Sequence, residues 1–143
     1  MATVETKWFT KGGKNLVEQE IGWVASSINV ALMAAGFVFD QDGPESFSDI
    51  QASEAAGQSY VAGGVVIGNR SVVIDAASNE TRLLGDPVQW ANSSITARGA
   101  VMYVTLGNKA LLGYCDFGSD RTSENGLFRI EWPTTGVLRT RAL

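Results

Sequence analysis

The sequence predicts a mainly β fold, an antiparallel β-sandwich with a short N-terminal helix, and three observations carry that prediction. Gly126 to Trp132 (GLFRIEW) alternates cleanly. Leu127, Arg129 and Glu131 point one way and Phe128, Ile130 and Trp132 the other, the period of a half-buried strand. Ala100 to Leu106 is nearly continuous apolar sequence, as in a strand covered on both faces. Sixteen glycines stand against three prolines, which supplies tight turns between short strands.

The elements follow in order. Residues 8–24 place apolar groups at Phe9, Leu16, Val17, Ile21 and Val24, roughly the spacing of one helix face. Gly12 and Gly13 weaken the first turn, so the helix is expected to start near Lys14. Ser27 to Ala34 reads as strand, Asp40 to Glu45 (DQDGPE) as a turn, and Glu45 to Ile50 as one helical turn with Phe47 and Ile50 inward. Gln58 to Gly68 reads as a strand in which Gly63-Gly64 marks a bulge or a close backbone approach. Ser71 to Ala76 follows the hairpin-type punctuation of Gly68-Asn69, and Thr81 to Leu84 reads as a short edge strand ended by Asp86-Pro87. Val88 to Trp90, Ile95 to Leu106, Ala110 to Phe117 and Gly126 to Trp132 complete the sheet, with Leu106 to Lys109 as a hairpin loop and Gly136 to Arg139 as a last short strand. There is no internal repeat, low-complexity tract or long linker. Residues 1–143 are therefore expected to form a single domain, with residues 1–13 as an N-terminal arm.

Composition narrows the function classes. A hydrophobic fraction of 45% and a charged fraction of 18% belong to a folded chain. A net charge of -4 argues against a nucleic-acid partner, which needs a basic face. The chain has no histidine and one cysteine, Cys115, which removes Ser–His–Asp and Cys–His chemistry, imidazole-ligated zinc and internal disulfides. No enzyme activity, cofactor or metal is expected. Cys115, inside an apolar strand, reads as a small buried hydrophobe.

MATVETKWFTKGGK lacks the apolar core of a secretory signal. Ile21 to Phe39 runs nineteen residues without a charge, near the length that spans a bilayer. Ser26, Ser27 and Asn29 near its middle, Gly22 and Gly36 towards its ends, and acidic flanks favour a buried strand running into a loop, with no membrane partner.

Charge is polarised along the chain. No Lys or Arg lies between Lys14 and Arg70, where Glu18, Glu20, Asp40, Asp42, Glu45, Asp49 and Glu54 all fall, while Lys7, Lys11, Lys14, Arg139 and Arg141 sit towards the ends. Either the acidic stretch is a solvated surface, or the basic ends meet an acidic neighbour such as a second copy or a larger lattice. Trp8 and Phe9 precede any strong element, and large apolar groups in such a place dock either onto the chain's own core or onto a partner. The candidate interface residues are Trp8, Phe9, Lys11, Lys14, Arg139 and Arg141.

Other candidate sites weaken on inspection. Asp40 to Gly43 with Glu45 has the look of a calcium loop but lacks the further ligands of an EF-hand. The Asp-Phe-Gly at Asp116 stands without any other kinase element. Asp75 with Glu80, or Asp116 with Asp120, offers paired carboxylates for glycoside hydrolysis, but nothing in the sequence fixes their separation. The sequons at Asn69, Asn79 and Asn92 mean little without a secretion signal. Trp8, Trp23, Trp90 and Trp132 with Tyr60, Tyr103 and Tyr114 form either a sugar-stacking platform or inter-strand packing.

Several stretches taken together carry a resemblance. VALMAAGFVFDQDGPESFSDI resembles a strand followed by an Asp-rich turn and a Phe-Ser-Asp helical turn. SEAAGQSYVAGGVVI resembles a "Glu, Gly-x-x-Tyr, x-x-Gly-Gly" stretch, and DPVQWANSSITARGAVMYV a "Trp, polar turn, Thr-x-Arg strand". ALLGYCDFGSDRTSENGLFRIEWPTTGVLRT resembles a closing pair, "Asp-Phe-Gly, then Asn-Gly-x-Phe-x-Ile-x-Trp, then Gly". From about residue 16 onward these motifs occur in the order found in a family of small bacteriophage structural proteins. The chain departs from that family at Gly22, where an acidic residue is common, and the family's loops after position 105 vary in length.

The resemblance carries over no catalytic residue. It implies a virion component of the head-decoration, head-fibre or minor structural kind, made in the host cytoplasm and carried on the particle surface. The expected function is that of a capsid decoration (cement) protein on the outside of the head, with the major capsid protein or other virion proteins as partners. A homo-oligomer is expected, a trimer if it sits on three-fold points. The alternatives are a tail, collar or fibre component, or a glycan-binding host-adhesion module.

Overall fold

The computed structural model describes residues 4–18 and 21–142. Ten strands and one helix run in the order β1 (Lys7–Trp8), α1 (Thr10–Val17), β2 (Ile28–Ala34), β3 (Gly57–Gln58), β4 (Val65–Val66), β5 (Ser71–Asp75), β6 (Glu80–Leu84), β7 (Val88–Val104), β8 (Leu111–Thr122), β9 (Gly126–Ile130) and β10 (Leu138–Arg141). Every strand pair is antiparallel. The chain is mainly β, as its alternating patterns require.

The larger sheet has the order β1-β8-β7-β2-β4, with β3 and β9 also paired to β7; the smaller has the order β10-β6-β5. Leu83, Val137 and Leu138 on the small-sheet side share one core with Ile28, Val30 and Leu32 of β2, Met102 of β7 and Phe128 and Ile130 of β9. The opposite face of β2 and β7 carries a second core, in which Ala31, Met33, Val101 and Tyr103 pack with Phe9, Phe47 and Tyr114. These two strands are covered on both sides, which is why Ala100 to Val104 reads as an unbroken apolar run.

β7 is the spine. Val88–Ser93 pairs with β9, Ser94 and Ile95 with β3, and Thr96–Val104 with β8 and β2. The sequence suggested two strands, Val88 to Trp90 and Ile95 to Leu106, separated by a polar turn. The structure runs one strand through, with a bulge between Trp90 and Ser93 where Asn92 takes φ 52°. Asn tolerates that left-handed conformation, and the extra residue lets the strand change neighbours without ending.

Three more expectations are corrected. The helix begins at Thr10, not near Lys14, and both glycines lie inside it. A Cβ on Gly12 would stand 2.0 Å from the Leu112 carbonyl oxygen, so the glycine is what lets α1 lie directly on β8. Asn15, also buried, donates through Nδ2 to the Leu111 carbonyl at 2.9 Å. Gln58 to Gly68 is not a strand. Ser59, Gly63 and Gly64 take positive φ and turn the chain, leaving only Gly57–Gln58 and Val65–Val66 paired. At Gly64 (φ +82°) a Cβ would fall 1.8 Å from the Val30 carbonyl, the close approach its sequence position foretold. The strand expected at Thr81 to Leu84 is the centre of the small sheet and not an edge.

Of the expected arm over residues 1–13, residues 1–3 lie outside the described residues, and the remainder packs onto the rest of the chain. Val4 is buried and its amide donates to the Glu131 carbonyl at 3.1 Å, β1 pairs with β8, and Phe9 is buried. The segment docks because it supplies a strand edge and core side chains of its own. Ile21 to Phe39 contains β2, and among the described residues no helix is long and apolar enough to cross a membrane.

Candidate functional site

The structure brings Trp8 against the backbone of Arg139 and turns Phe9 into the core, while the side chains of Arg139 and Arg141 share one carboxylate. β1 lies at the edge of the large sheet, and the Trp8 indole Nε1 donates to the Arg139 carbonyl on β10 at 2.8 Å. On one side of the indole is a groove of about 350 Å³ lined by Trp8, Gly13, Leu16, Val17, Arg139 and Thr140. A second groove of about 360 Å³ shares Trp8 and Arg139 and adds Glu5, Lys7 and Pro133. Val17 at the end of α1 is 81% exposed. An apolar residue this bare, beside a half-buried Trp, gives a surface that water wets poorly.

Val17 belongs to the set of apolar residues spaced for one helix face. It points out because the face of α1 turned to β8 is the small one, Gly12 and Asn15, and not the aliphatic one. Val24, counted with it, is likewise exposed, whereas Phe9 and Ile21 are buried. The adjacent glycines were the signal that the helix approaches the sheet through backbone.

Phe9, a candidate interface residue, lies in the core. It is 1% exposed and packs on Tyr114 with ring centroids 4.8 Å apart, which anchors the start of α1. The helix lysines turn towards the acidic loop of the same chain. Lys11 donates to the Gly43 carbonyl at 2.7 Å, and Lys14 pairs with Glu18 at 2.9 Å and Glu45 at 3.2 Å. Thr10 donates to Asp42 in the same loop. Much of the basic-end, acidic-middle polarity is thus met within the molecule.

Arg139 and Arg141 are directed to a buried carboxylate. Glu80 is 2% exposed and meets Arg139 Nη1 at 2.7 Å, Arg82 Nη2 at 2.8 Å and Arg141 Nη2 at 3.9 Å, while Arg82 also pairs with Asp75 at 2.9 Å. The Arg82 hydrogen bond holds the Glu80 carboxyl below its ordinary value; burial opposes this, and Ser78 and Arg139 reinforce it. The Asp75–Glu80 pair is therefore an ion network clamping β10 to the β5–β6 hairpin, not an acid–base pair. Asp116 pairs with Arg98 at 2.9 Å, and Asp120 accepts from the Gly36 amide at 2.8 Å.

The remaining candidates also have structural roles. Asp40 Oδ1 accepts from the amides of Asp42 and Gly43, closing the DQDG turn on itself, and among the described residues no group of three or more His, Cys, Asp or Glu is placed to hold a metal ion. Trp23, Trp90, Tyr103 and Tyr114 are buried, while the half-buried Trp132 and Tyr60 donate to Asp86 and Glu54, so these aromatics form no exposed platform. Burial pushes the Cys115 thiol up to about 12.

The motifs behind the family resemblance turn out to be fold-building devices. Glu54 accepts from the Tyr60 hydroxyl and from the Gly63 amide, while the Leu32 amide donates to Tyr60, so the Glu…Tyr…Gly-Gly stretch latches its loop onto β2. Asp116 of Asp-Phe-Gly accepts from the Gly118 amide and from Arg98, the Arg of Thr-x-Arg. Asn125 takes φ 44° at the turn into β9. Arg70, unnoticed in the sequence, donates to the carbonyls of Trp23, Val24, Ser26 and Ile67 and holds the approach to β2. Comparison with family models, curated proteins and solved structures finds no match.

Proposed function

We propose that this chain is a non-catalytic bacteriophage virion protein that decorates the outside of the head, binding the major capsid protein or a neighbouring virion protein through the Trp8 groove. The observation that carries the reading is Val17, exposed beside Leu16 and Trp8 in an apolar groove whose other wall is Arg139 and Thr140. An aromatic anchor next to an arginine, rimmed by polar groups, has the composition of a protein-binding patch. The order of the resembling motifs supports the family, and their use as latches and turns suits a protein whose task is to be a rigid plug. The mechanism is mechanical: each copy adds buried area across a capsomer joint, and many copies together oppose expansion of the filled head.

The test is co-sedimentation of the purified chain with emptied heads and, separately, with isolated tails of its phage. Saturable, high-copy binding to heads that Val17→Glu weakens at least tenfold, at unchanged melting temperature, is the expected result. Binding to tails alone would replace the head reading with a tail, collar or fibre role. Binding to neither overturns the virion reading, and head binding indifferent to Val17→Glu overturns the groove.

A further inference from the structure

The small sheet ends in the edge strand β5. β5 (Ser71–Asp75, SVVID) pairs with β6 on one edge and, among the described residues, with no strand on the other. Val72 is 45% exposed, Val73 40% and Ile74 71%, so both of its faces are open as well as its edge. Three consecutive β-branched residues form an edge of high strand propensity. Protein edges that face water are normally blunted by Lys, Pro, a bulge or short length. β5 has none of these before Asp75.

The other edges are dealt with; β8 beyond Tyr114, paired only with β7, carries Asp116, Asp120 and Arg121. β1, β3 and β4 are two residues each. β10 has Trp8 Nε1 on the Arg139 carbonyl and Thr6 on the Val137 carbonyl. β9, of the same length as β5, carries Arg129, which pairs with Glu131. β5 alone combines length, apolar faces and an uncharged centre.

We propose that β5 pairs antiparallel with β5 of a second copy of this chain about a two-fold axis at Val73. The sequence is self-complementary in that register. Val73 lies opposite Val73 of the second copy, Val72 opposite Ile74, and Ser71 opposite Asp75, so no like charges face each other and a hydroxyl meets a carboxylate. On one face Val72 and Ile74 of both copies close into a single β-branched cluster. The product is a continuous six-stranded sheet, β10-β6-β5 followed by the same three strands reversed. A charged partner segment fits less well, because the strand offers no charge from Ser71 to Ile74 to select it. The expected homo-oligomer is thereby a two-fold pair and not a trimer. The inference stands apart from the head-decoration reading, since its test needs only the purified chain.

Sedimentation equilibrium over a wide concentration range is expected to show a monomer–dimer equilibrium. Val73→Lys places two ammonium groups opposite one another and is expected to weaken it at least tenfold, with an unchanged melting temperature for the monomer. Val73→Cys tests the register: under oxidised glutathione it is expected to form a disulfide-linked dimer at least tenfold faster than Leu127→Cys on exposed β9. Cys115 is buried and does not compete. A chain that stays monomeric throughout, a dimer indifferent to Val73→Lys, or equal crosslinking of the two cysteine variants overturns the proposal. Should Val73→Lys fail to fold, the crosslinking comparison decides alone.

Discussion

The indole Nε1 of Trp8 donates to the backbone carbonyl of Arg139 at 2.8 Å, across the junction between the two sheets. Trp8 belongs to β1, which pairs with β8 of the large sheet, and Arg139 belongs to β10, which pairs with β6 of the small one. One side-chain bond therefore closes the edge of β10 and sets the wall shared by the two grooves.

Trp8→Phe keeps an aromatic ring but removes the indole N–H together with part of the bicycle. A typical hydrogen bond contributes about 1 kcal/mol net and the lost ring contacts add to it, so the variant is expected to lose at least about that much stability and at least roughly 3–4 °C of melting temperature. The measurement is thermal unfolding followed by circular dichroism. A loss near zero would mean that water replaces the indole on the Arg139 carbonyl.

Gly12 and Gly13 are neighbours in one helix with opposite expected responses to alanine. At Gly12 the added methyl meets the Leu112 carbonyl at 2.0 Å, so α1 must lift from β8, at a cost of about 2–3 kcal/mol. At Gly13 nothing lies within 4 Å, and alanine is expected to stabilise the helix by about 0.5–1 kcal/mol. Urea titration of both variants reads the difference directly.

Acid is expected to loosen the β6–β10 side. Glu80 is held below its ordinary value of 4.5 by Arg82 against the pull of burial. Asp49 shifts the same way through the amides of Glu45 and Ser46, and so does Asp116, where the Gly118 amide and Arg98 outweigh burial. A carboxyl whose folded value lies below its unfolded value contributes stability above the unfolded value and loses it as pH falls through the folded one. Stability from these groups is therefore expected to hold down to about pH 5 and to fall below it. Chemical denaturation across that range is the measurement, and Glu80→Gln is expected to fall less steeply.

Cys115 should be silent in the native state. It is fully buried, with its thiol pushed up to about 12, so almost none is thiolate at pH 8. Alkylation by iodoacetamide is expected to proceed only through opening of the core, at a rate that rises with denaturant. Rapid modification of the folded chain would contradict the packing between β7 and β8.

The sequence was most readable where a period ran unbroken. Phe128 and Ile130 could be assigned inward from alternation alone, and the two-sided burial of Ala100 to Val104 from the apolar run Ala100 to Leu106, although the strand ends at Val104 and Leu106 is 75% exposed. It was least readable where backbone proximity decided the outcome. Gly12 looks like a helix breaker until Leu112 is seen behind it, and Asn92 looks like a turn until the strand is seen to pass through. Whether Thr81 to Leu84 was an edge depended on β10, more than fifty residues away in sequence. The candidate surface was legible in Trp8 and Arg139. Phe9 and Val17 exchanged roles because helix rotation follows the Gly12–Asn15 face, which hydrophobicity does not mark.

The reach of β7 has a consequence for how the chain is made. Its partners β2 and β3 precede it, while β8 and β9 follow it, and β1 waits for β8. During synthesis the first hundred residues emerge with the spine strand in hand but with one side unpaired and most of the core open to water. The core can close only after Leu138 has left the ribosome, so a chain stalled or cleaved before that point is the species most prone to aggregate.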